Sequence, residues 1–235
     1  MGYVDASIGI KTGINFNSNK NRLGSFYAPQ AVLLDKAFLK TLPRRHILNG
    51  VCEIIKLAVI KDAPLFDLLE THGAQSVNEY FQNEKSAALL DRAIAGMLEE
   101  LEPNLFEEDL ARKVDFGHTF SYGLETRHEA HLLHGEAVLL DILLSTLIAR
   151  GRNLLTDDET RRIFHLTESL GFKLDASILD PGLLLASLTE RTYHRNGLQR
   201  VPMPHGIGGC VFLNDIHADE IESAVEILQE WMIVN

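Results

Sequence analysis

His118 in DFGHTF and His134 in LHGEAV, with Glu53 upstream in NGVCEIIK, offer two imidazoles and one carboxylate in glycine-flanked, helix-compatible contexts. A borderline-soft ion such as zinc is well served by two neutral imidazoles and a carboxylate, and three protein ligands leave one coordination position open for water or substrate oxygen. An open position means chemistry rather than scaffolding. Each histidine alone reads more simply as a hydrogen-bonded partner in a core or a cap, but the three together point to a catalytic metal site. Glu125 and Glu136 stand nearby as acceptors that can orient the rings. Lys56 lies three residues after Glu53, which puts the two on neighbouring positions of one helix; without the histidines they would read as a solvated ion pair.

The elements that must position these groups follow from apolar spacing. Ile47, Val51, Ile54, Ile55 and Leu57–Val59 predict a buried helix ending near Lys61–Asp62, before Pro64. Helices are expected over Pro64–His72 and over Glu84–Glu102, the latter closed by Pro103, then over Asp115–Arg127 and Leu133–Arg150. In that arrangement His118 sits in the first turn of one helix and His134 opens the next. Thr156 with Glu159 forms a capping box, Asp180–Pro181 starts another helix, and an amphipathic helix runs from Ala218 to Trp231. Two short strands are expected in LQRVPMP and GGCVFL, and the run AVLLD at Ala31–Asp35 reads as one buried strand.

The first forty residues are loop-rich, with Gly9, Gly13 and Gly24 around Lys11, Lys20 and Arg22. Backbone N–H groups and ammonium groups there suit a dianion, although surface loops of this composition are common without ligands.

A chain of 235 residues, 46% of them hydrophobic, can bury a full-sized core. Its net charge of -11 disfavours nonspecific binding to nucleic acid or anionic membrane, while leaving room for a local basic pocket. Cys52 and Cys210 are too few for a disulfide framework and suit a reducing compartment, with the cytoplasm as the expected location. The longest apolar stretch, Ala137–Ala149, is interrupted by Asp141 and falls short of the ~20 residues that span a bilayer.

Several motifs fail. RHEAHLLH has Leu132 where the zincin motif needs its second histidine, and there is no GxSxG, no P-loop and no GxGxxG after a strand.

With those residues in hand, the chain resembles the dehydroquinate synthase superfamily, the sugar phosphate cyclases. VDASIGIKTGIN, KNRLGSFYAPQAVLLD, LPRRHILNGVCEIIKLAVIKD, VDFGHTF and LHGEAV look like successive family blocks in the family's order, from Met1 to Ala149, and RNGLQRVPMP is similar to the segment that closes the active site from the C-terminal side. The resemblance implies a mainly α fold: the helical, metal-binding C-terminal domain of the dehydroquinate synthase-like fold, with short strands near the N-terminus and around 198–213. Residues 1–40 would form a loop-rich junction with substrate-contacting segments, and 41–235 a zinc-binding helical domain built into one unit with it.

The resemblance also implies that Glu53, His118 and His134 ligate Zn2+ or Co2+. Asp5, Lys11 and Lys56 would act in catalysis, Asp5 and Lys11 would also face NAD, and Lys20, Asn21, Asp115, His194 and Arg195 would contact a sugar phosphate. Family members oxidise one secondary hydroxyl with NAD, eliminate phosphate, reduce the ketone again, open the ring and close a carbocycle by an aldol step. Two places depart from dehydroquinate synthases proper: Tyr122 stands for a second histidine and Asp115 for an asparagine. Tyr122 is not expected to ligate. NRLGSFY, MLEELEPNLFEE, VDFGHTFS and LQRVPMP look more like the branch acting on sedoheptulose 7-phosphate, the 2-epi-5-epi-valiolone and desmethyl-4-deoxygadusol synthases. Family members carry an N-terminal NAD-binding domain ahead of YVDASIG, so the expectation is a fragment inactive alone, either from a split or truncated gene or completed by a separate NAD-binding chain, with a second copy of itself as partner. The rival readings are 3-dehydroquinate synthase itself and a noncatalytic helical module for binding or oligomerisation.

Overall fold

The computed structural model describes residues 2–16, 19–125 and 131–234, and no helix among them is long and apolar enough to cross a membrane. Side-chain caps open four of the eight described α-helices. α1 (Arg44–Ile60) follows Pro43. α2 (Ala63–Asn78) starts at Asp62, whose carboxylate accepts the Leu65 N–H, and α3 (Glu84–Leu101) starts at Asn83, which does the same for Ser86. A short α4 (Ser121–Glu125) precedes α5 (His134–Gly151). α6 (Asp157–Leu170) carries the Thr156–Glu159 capping box and stops at left-handed Gly171; α7 (Pro181–Tyr193) is capped by Asp180, and α8 is Ala218–Val234. Each of these caps satisfies a backbone N–H that would otherwise lack an intrahelical partner.

α1 and α5 form the centre. α1 is buried from Gly50 to Ile60 and α5 from Gly135 to Ala149, because helices apolar on every side must lie inside. They pack on each other, and α2, α4, α6, α8 and the β3–β4 hairpin cover them. In that hairpin β3 (Val201–Pro204) pairs antiparallel with β4 (Cys210–Leu213), from Val201 opposite Leu213 to Pro204 opposite Cys210. Near the N-terminus β1 (Ile14–Phe16) pairs antiparallel with β2 (Asn19–Leu23). The ribbon continues through the Lys11–Phe26 bridge and the Thr12 N–H bonded to Ser25 O. Gly24 belongs there for close approach, since a Cβ on it would lie 2.8 Å from the Gly13 Cα.

The helices and the two short strands expected in LQRVPMP and GGCVFL are present, with three differences. α2 runs to Asn78 rather than His72, because Leu69, Gly73 and Val77 continue its buried stripe. Ala31–Asp35 is not a strand: Leu33 is 95% exposed, no described strand pairs with the run, and the Asp35 carboxylate instead caps a 3-10 turn at Lys36–Thr41. The expected helix Asp115–Arg127 is a 3-10 turn (Lys113–Asp115), a loop and the short α4. Gly117 at φ 75 breaks it, and Arg127 lies outside the described residues.

Candidate metal centre

Glu53 sits in the middle of α1, fully buried, facing the N-terminus of α5. His134 is the first residue of α5, and His118 stands in the loop before α4 rather than in a helix turn. Glu53 Oε1 lies 3.2 Å from His134 Nε2 and 3.9 Å from His118 Nε2, and the ligand atoms of all three fall within 4.8 Å of one another. For an ion with bonds of ~2.1 Å, the edge of a tetrahedron is ~3.4 Å, so the donor set suits a zinc-sized ion in type and spacing.

The remaining ring nitrogens are occupied. His118 Nδ1–H donates to the Phe116 carbonyl at 3.1 Å, and His134 Nδ1 lies 3.0 Å from Glu125 Oε1. Both contacts fix the tautomer that presents Nε2 inward. Burial and the Lys56 charge push His118 down to about 4, so it is neutral at neutral pH even though 27% of its side chain remains accessible. Burial opposes the charge on His134, but Glu125 and Glu53 outweigh it and raise the group to about 9. Burial likewise works against the Glu53 carboxylate, yet Lys56 and the two histidines pull it well below the usual range. The Lys56 ammonium faces Glu53 Oε2 as an ion pair without hydrogen-bond geometry. Burial disfavours its charge, and Glu53, Asp5 and Asp115 together keep it raised.

The sequence around His134 explains how it is held. Gly135 allows α5 to touch α1, because a Cβ there would lie 2.2 Å from the Asn49 carbonyl oxygen. Glu136 accepts the Leu133 N–H at 2.8 Å and takes a two-pronged contact from Arg45 at 2.7 Å. Of the two acids expected to orient the rings, Glu125 does so, while Glu136 is committed to Arg45 and the start of α5.

Asp5, Lys11, Lys56, Arg112, Asp115 and His118 line one cavity of about 220 Å³ beside the cluster. Burial and Glu53 raise the Asp5 carboxyl. Lys11 is half exposed and paired with Glu107 at 2.8 Å. Asp115 is buried and met by Arg112 at 3.4 Å, Arg191 at 3.3 Å and Arg195. Burial works against its charge, but these arginines hold it below the usual carboxylate range. His194 is exposed at the C-cap of α7 and does not line the cavity. Lys20 and Asn21 belong to β2, and their side chains lie outside the described residues. Arg112, Arg191 and Asp141 escaped the sequence reading; for Asp141 the available signal was an acid inside an apolar run. It is fully buried and accepts the N–H groups of Thr119, Phe120 and Ser121. Burial pushes its carboxyl up to about 6 against the pull of those bonds. A larger groove, about 580 Å³ among α5, α6 and α8, lies away from this chemistry.

Residues 50–192 match the family described as 3-dehydroquinate synthase C-terminal, and residues 1–49 the one described as 3-dehydroquinate synthase N-terminal. The chain belongs to the 3-dehydroquinate synthase family. Within that family it is 49% identical to a 2-epi-5-epi-valiolone synthase of Streptomyces albus, over 98% of this chain and 58% of the relative. It is 38% identical to a demethyl-4-deoxygadusol synthase of Trichormus variabilis, over 96% of this chain and 57% of the relative. The solved structure of a 2-epi-5-epi-valiolone synthase from Streptomyces hygroscopicus subsp. jinggangensis 5008, with NAD+ and Zn2+ bound, superposes with a TM-score of 0.95 at 46% identity, over 98% of this chain and 64% of that one. The chain thus spans less than two thirds of the length of these synthase-family relatives, and its own described residues are mainly α.

Proposed function

We propose that the chain forms the metal-centre part of a sugar phosphate cyclase, a phosphate-eliminating carbon–oxygen lyase acting on sedoheptulose 7-phosphate with zinc and catalytic NAD. The observation that carries this reading is the convergence of Glu53, His118 and His134 beside a cavity presenting Lys56, Lys11 and Asp5. The names of the relatives and the NAD+ and Zn2+ in the similar structure support it. Zinc held by Glu53, His118 and His134 supplies polarisation of substrate hydroxyl and carbonyl oxygens, and Co2+ is the expected substitute. NAD supplies the acceptor and donor of a hydride.

The chain's own groups then have distinct tasks. Lys56, kept charged among Glu53, Asp5 and Asp115, stabilises negative charge that develops on a substrate oxygen rather than acting as a base. Asp5, with its raised carboxyl, is suited to exchange a proton with a substrate hydroxyl. Lys11 and Arg112 offset phosphate at the cavity, and Lys20, Asn21, His194 and Arg195 enter the reading as substrate contacts on the resemblance alone. Asp115 and Tyr122, standing where dehydroquinate synthases proper carry asparagine and histidine, argue against dehydroquinate synthesis itself. The same reading includes a homodimer and a cytoplasmic setting in which Cys52 and Cys210 stay reduced.

The test mixes the purified chain, zinc, NAD and sedoheptulose 7-phosphate and follows inorganic phosphate and a cyclic product, with and without an added NAD-binding part from a relative. Release from sedoheptulose 7-phosphate only in the arm with the added NAD-binding part is the expected result, and release by the chain alone would overturn the expectation that it is inactive by itself. Release only from the substrate of 3-dehydroquinate synthases would replace this reading with that activity. A chain that binds neither zinc nor NAD and releases nothing in either arm is a noncatalytic module.

A further inference from the structure

α5 carries a buried acid on an otherwise apolar stretch. Asp141 is fully enclosed, two turns after His134, and its Oδ2 accepts three successive backbone N–H groups: Thr119 at 2.7 Å, Phe120 at 2.5 Å and Ser121 at 2.9 Å. Its other oxygen, Oδ1, accepts the Ser145 hydroxyl at 3.1 Å. Those three N–H groups follow His118 directly. They open α4, a helix of five residues, and receive the cap that helix needs from another helix.

The loop around His118 is flanked by the fully buried Phe116 and Phe120, and before it Asp115 meets Arg112, Arg191 and Arg195. Gly117 holds a left-handed φ of 75, and the His118 ring is tied to the carbonyl of Phe116, two residues back in the same loop. Apolar packing of Phe116 and Phe120 is not directional, so it leaves the main chain that carries the ring some freedom to turn relative to Glu53 on α1. The Asp141 carboxylate removes that freedom by bolting the loop to α5, the helix whose first residue is His134. One rigid element therefore presents one imidazole directly and the other through a carboxylate, leaving the two ring centroids 5.2 Å apart.

We propose that Asp141 is a positioning residue for His118, and that its carboxylate, rather than its contribution to the core, sets the geometry of the three-ligand centre. The inference rests on the reading of Glu53, His118 and His134 as a metal site. Groups that orient metal ligands typically govern affinity by ~10- to 100-fold, and a ring displaced by a fraction of an ångström changes the ligand field of a bound ion. A residue that only stabilises the core would lower the melting temperature and leave both properties unchanged.

The experiment uses Co2+ as the probe, titrated into the metal-free chain, with affinity and visible absorption recorded beside the thermal melt. Asp141→Asn keeps the size of the side chain, so the protein folds, but removes the charge that gathers three N–H groups on one oxygen. Asp141→Ala removes the acceptor altogether. Leu166→Ala, in the buried face of α6, serves as a control for general loosening. The expected result is Co2+ binding weakened about tenfold or more in Asp141→Asn, with an altered absorption band, and unchanged Co2+ affinity and band in Leu166→Ala despite a lower melting temperature. Wild-type affinity and spectrum in Asp141→Asn would overturn the proposal, as would an equal loss in Leu166→Ala. If Asp141→Ala does not fold, Asp141→Asn decides alone. A wild-type chain that takes up no Co2+ would instead overturn the metal-site reading, so the two failures are distinguishable.

Discussion

The Asn49 side-chain oxygen accepts the Gly135 N–H at 2.5 Å, which ties the first turn of α5 to α1 one turn before Glu53. His134 and Glu53 owe their 3.2 Å approach to this contact between their helices. Gly135→Ala would drive a Cβ to 2.2 Å from the Asn49 carbonyl oxygen. Such overpacking costs about 1–3 kcal/mol, so urea unfolding should show a loss of that size. Zinc content measured on the same sample should fall, because the helix can relieve the clash only by moving His134 away from Glu53.

Removal of a ligand should separate metal binding from folding. His118→Ala deletes a partly accessible ring in a loop, and the expected outcome is a folded chain that loses stoichiometric zinc, read by elemental analysis. Tyr122→Phe should keep zinc at the wild-type level. Glu53→Gln is different, because it leaves the buried Lys56 ammonium without its nearest counter-charge. Breaking a buried pair by removing one partner costs about 3–5 kcal/mol, so this variant should lose both metal and stability in a denaturant titration.

The two histidines predict a stability maximum for the metal-free chain. His118 falls to about 4 in the folded state, so between there and the unfolded value of ~6.5 the unfolded chain holds the extra proton and stability falls as pH falls. His134 rises to about 9, so its contribution is fully present below ~6.5 and is lost as pH rises through about 9. Unfolding midpoints in chelator should therefore peak near pH ~6.5. His134→Gln should flatten the alkaline limb only. At neutral pH zinc uptake should also release the His134 proton, which calorimetry in buffers of different ionisation enthalpy would count.

Lys11 and Lys56 should respond differently to truncation. Lys11 is 55% exposed and its pair with Glu107 is of the kind worth ~0–1 kcal/mol. Lys11→Ala should depress phosphate release in the complete enzyme with a stability change inside that range. Surface-charge reasoning would place Lys56 in the same class, but its burial against Glu53, with Asp5 also favouring its charged form, does not permit that. Lys56→Ala should abolish turnover and lower the unfolding midpoint, and equal activity in both variants would show that neither lysine meets substrate.

The sequence alone determined the parts whose physics is local. Apolar spacing located α1, α3 and α5, side-chain caps located the starts of α6 and α7, and ligand chemistry singled out Glu53, His118 and His134 before any geometry was known. Where a local signal was ambiguous the reading failed. A five-residue apolar run at Ala31–Asp35 has no period to distinguish a strand from an extended loop, and Gly117 ended a helix that composition alone would continue. Tertiary structure decided everything that depends on groups distant in sequence. Arg112, Arg191 and Arg195 meet on Asp115, Glu136 is claimed by Arg45 and not by a histidine, and Asp141 caps a helix it does not precede. A buried charge needs partners, but its sequence shows only the need; the packing of α5 against its neighbours supplies the partner and, with it, the position of His118.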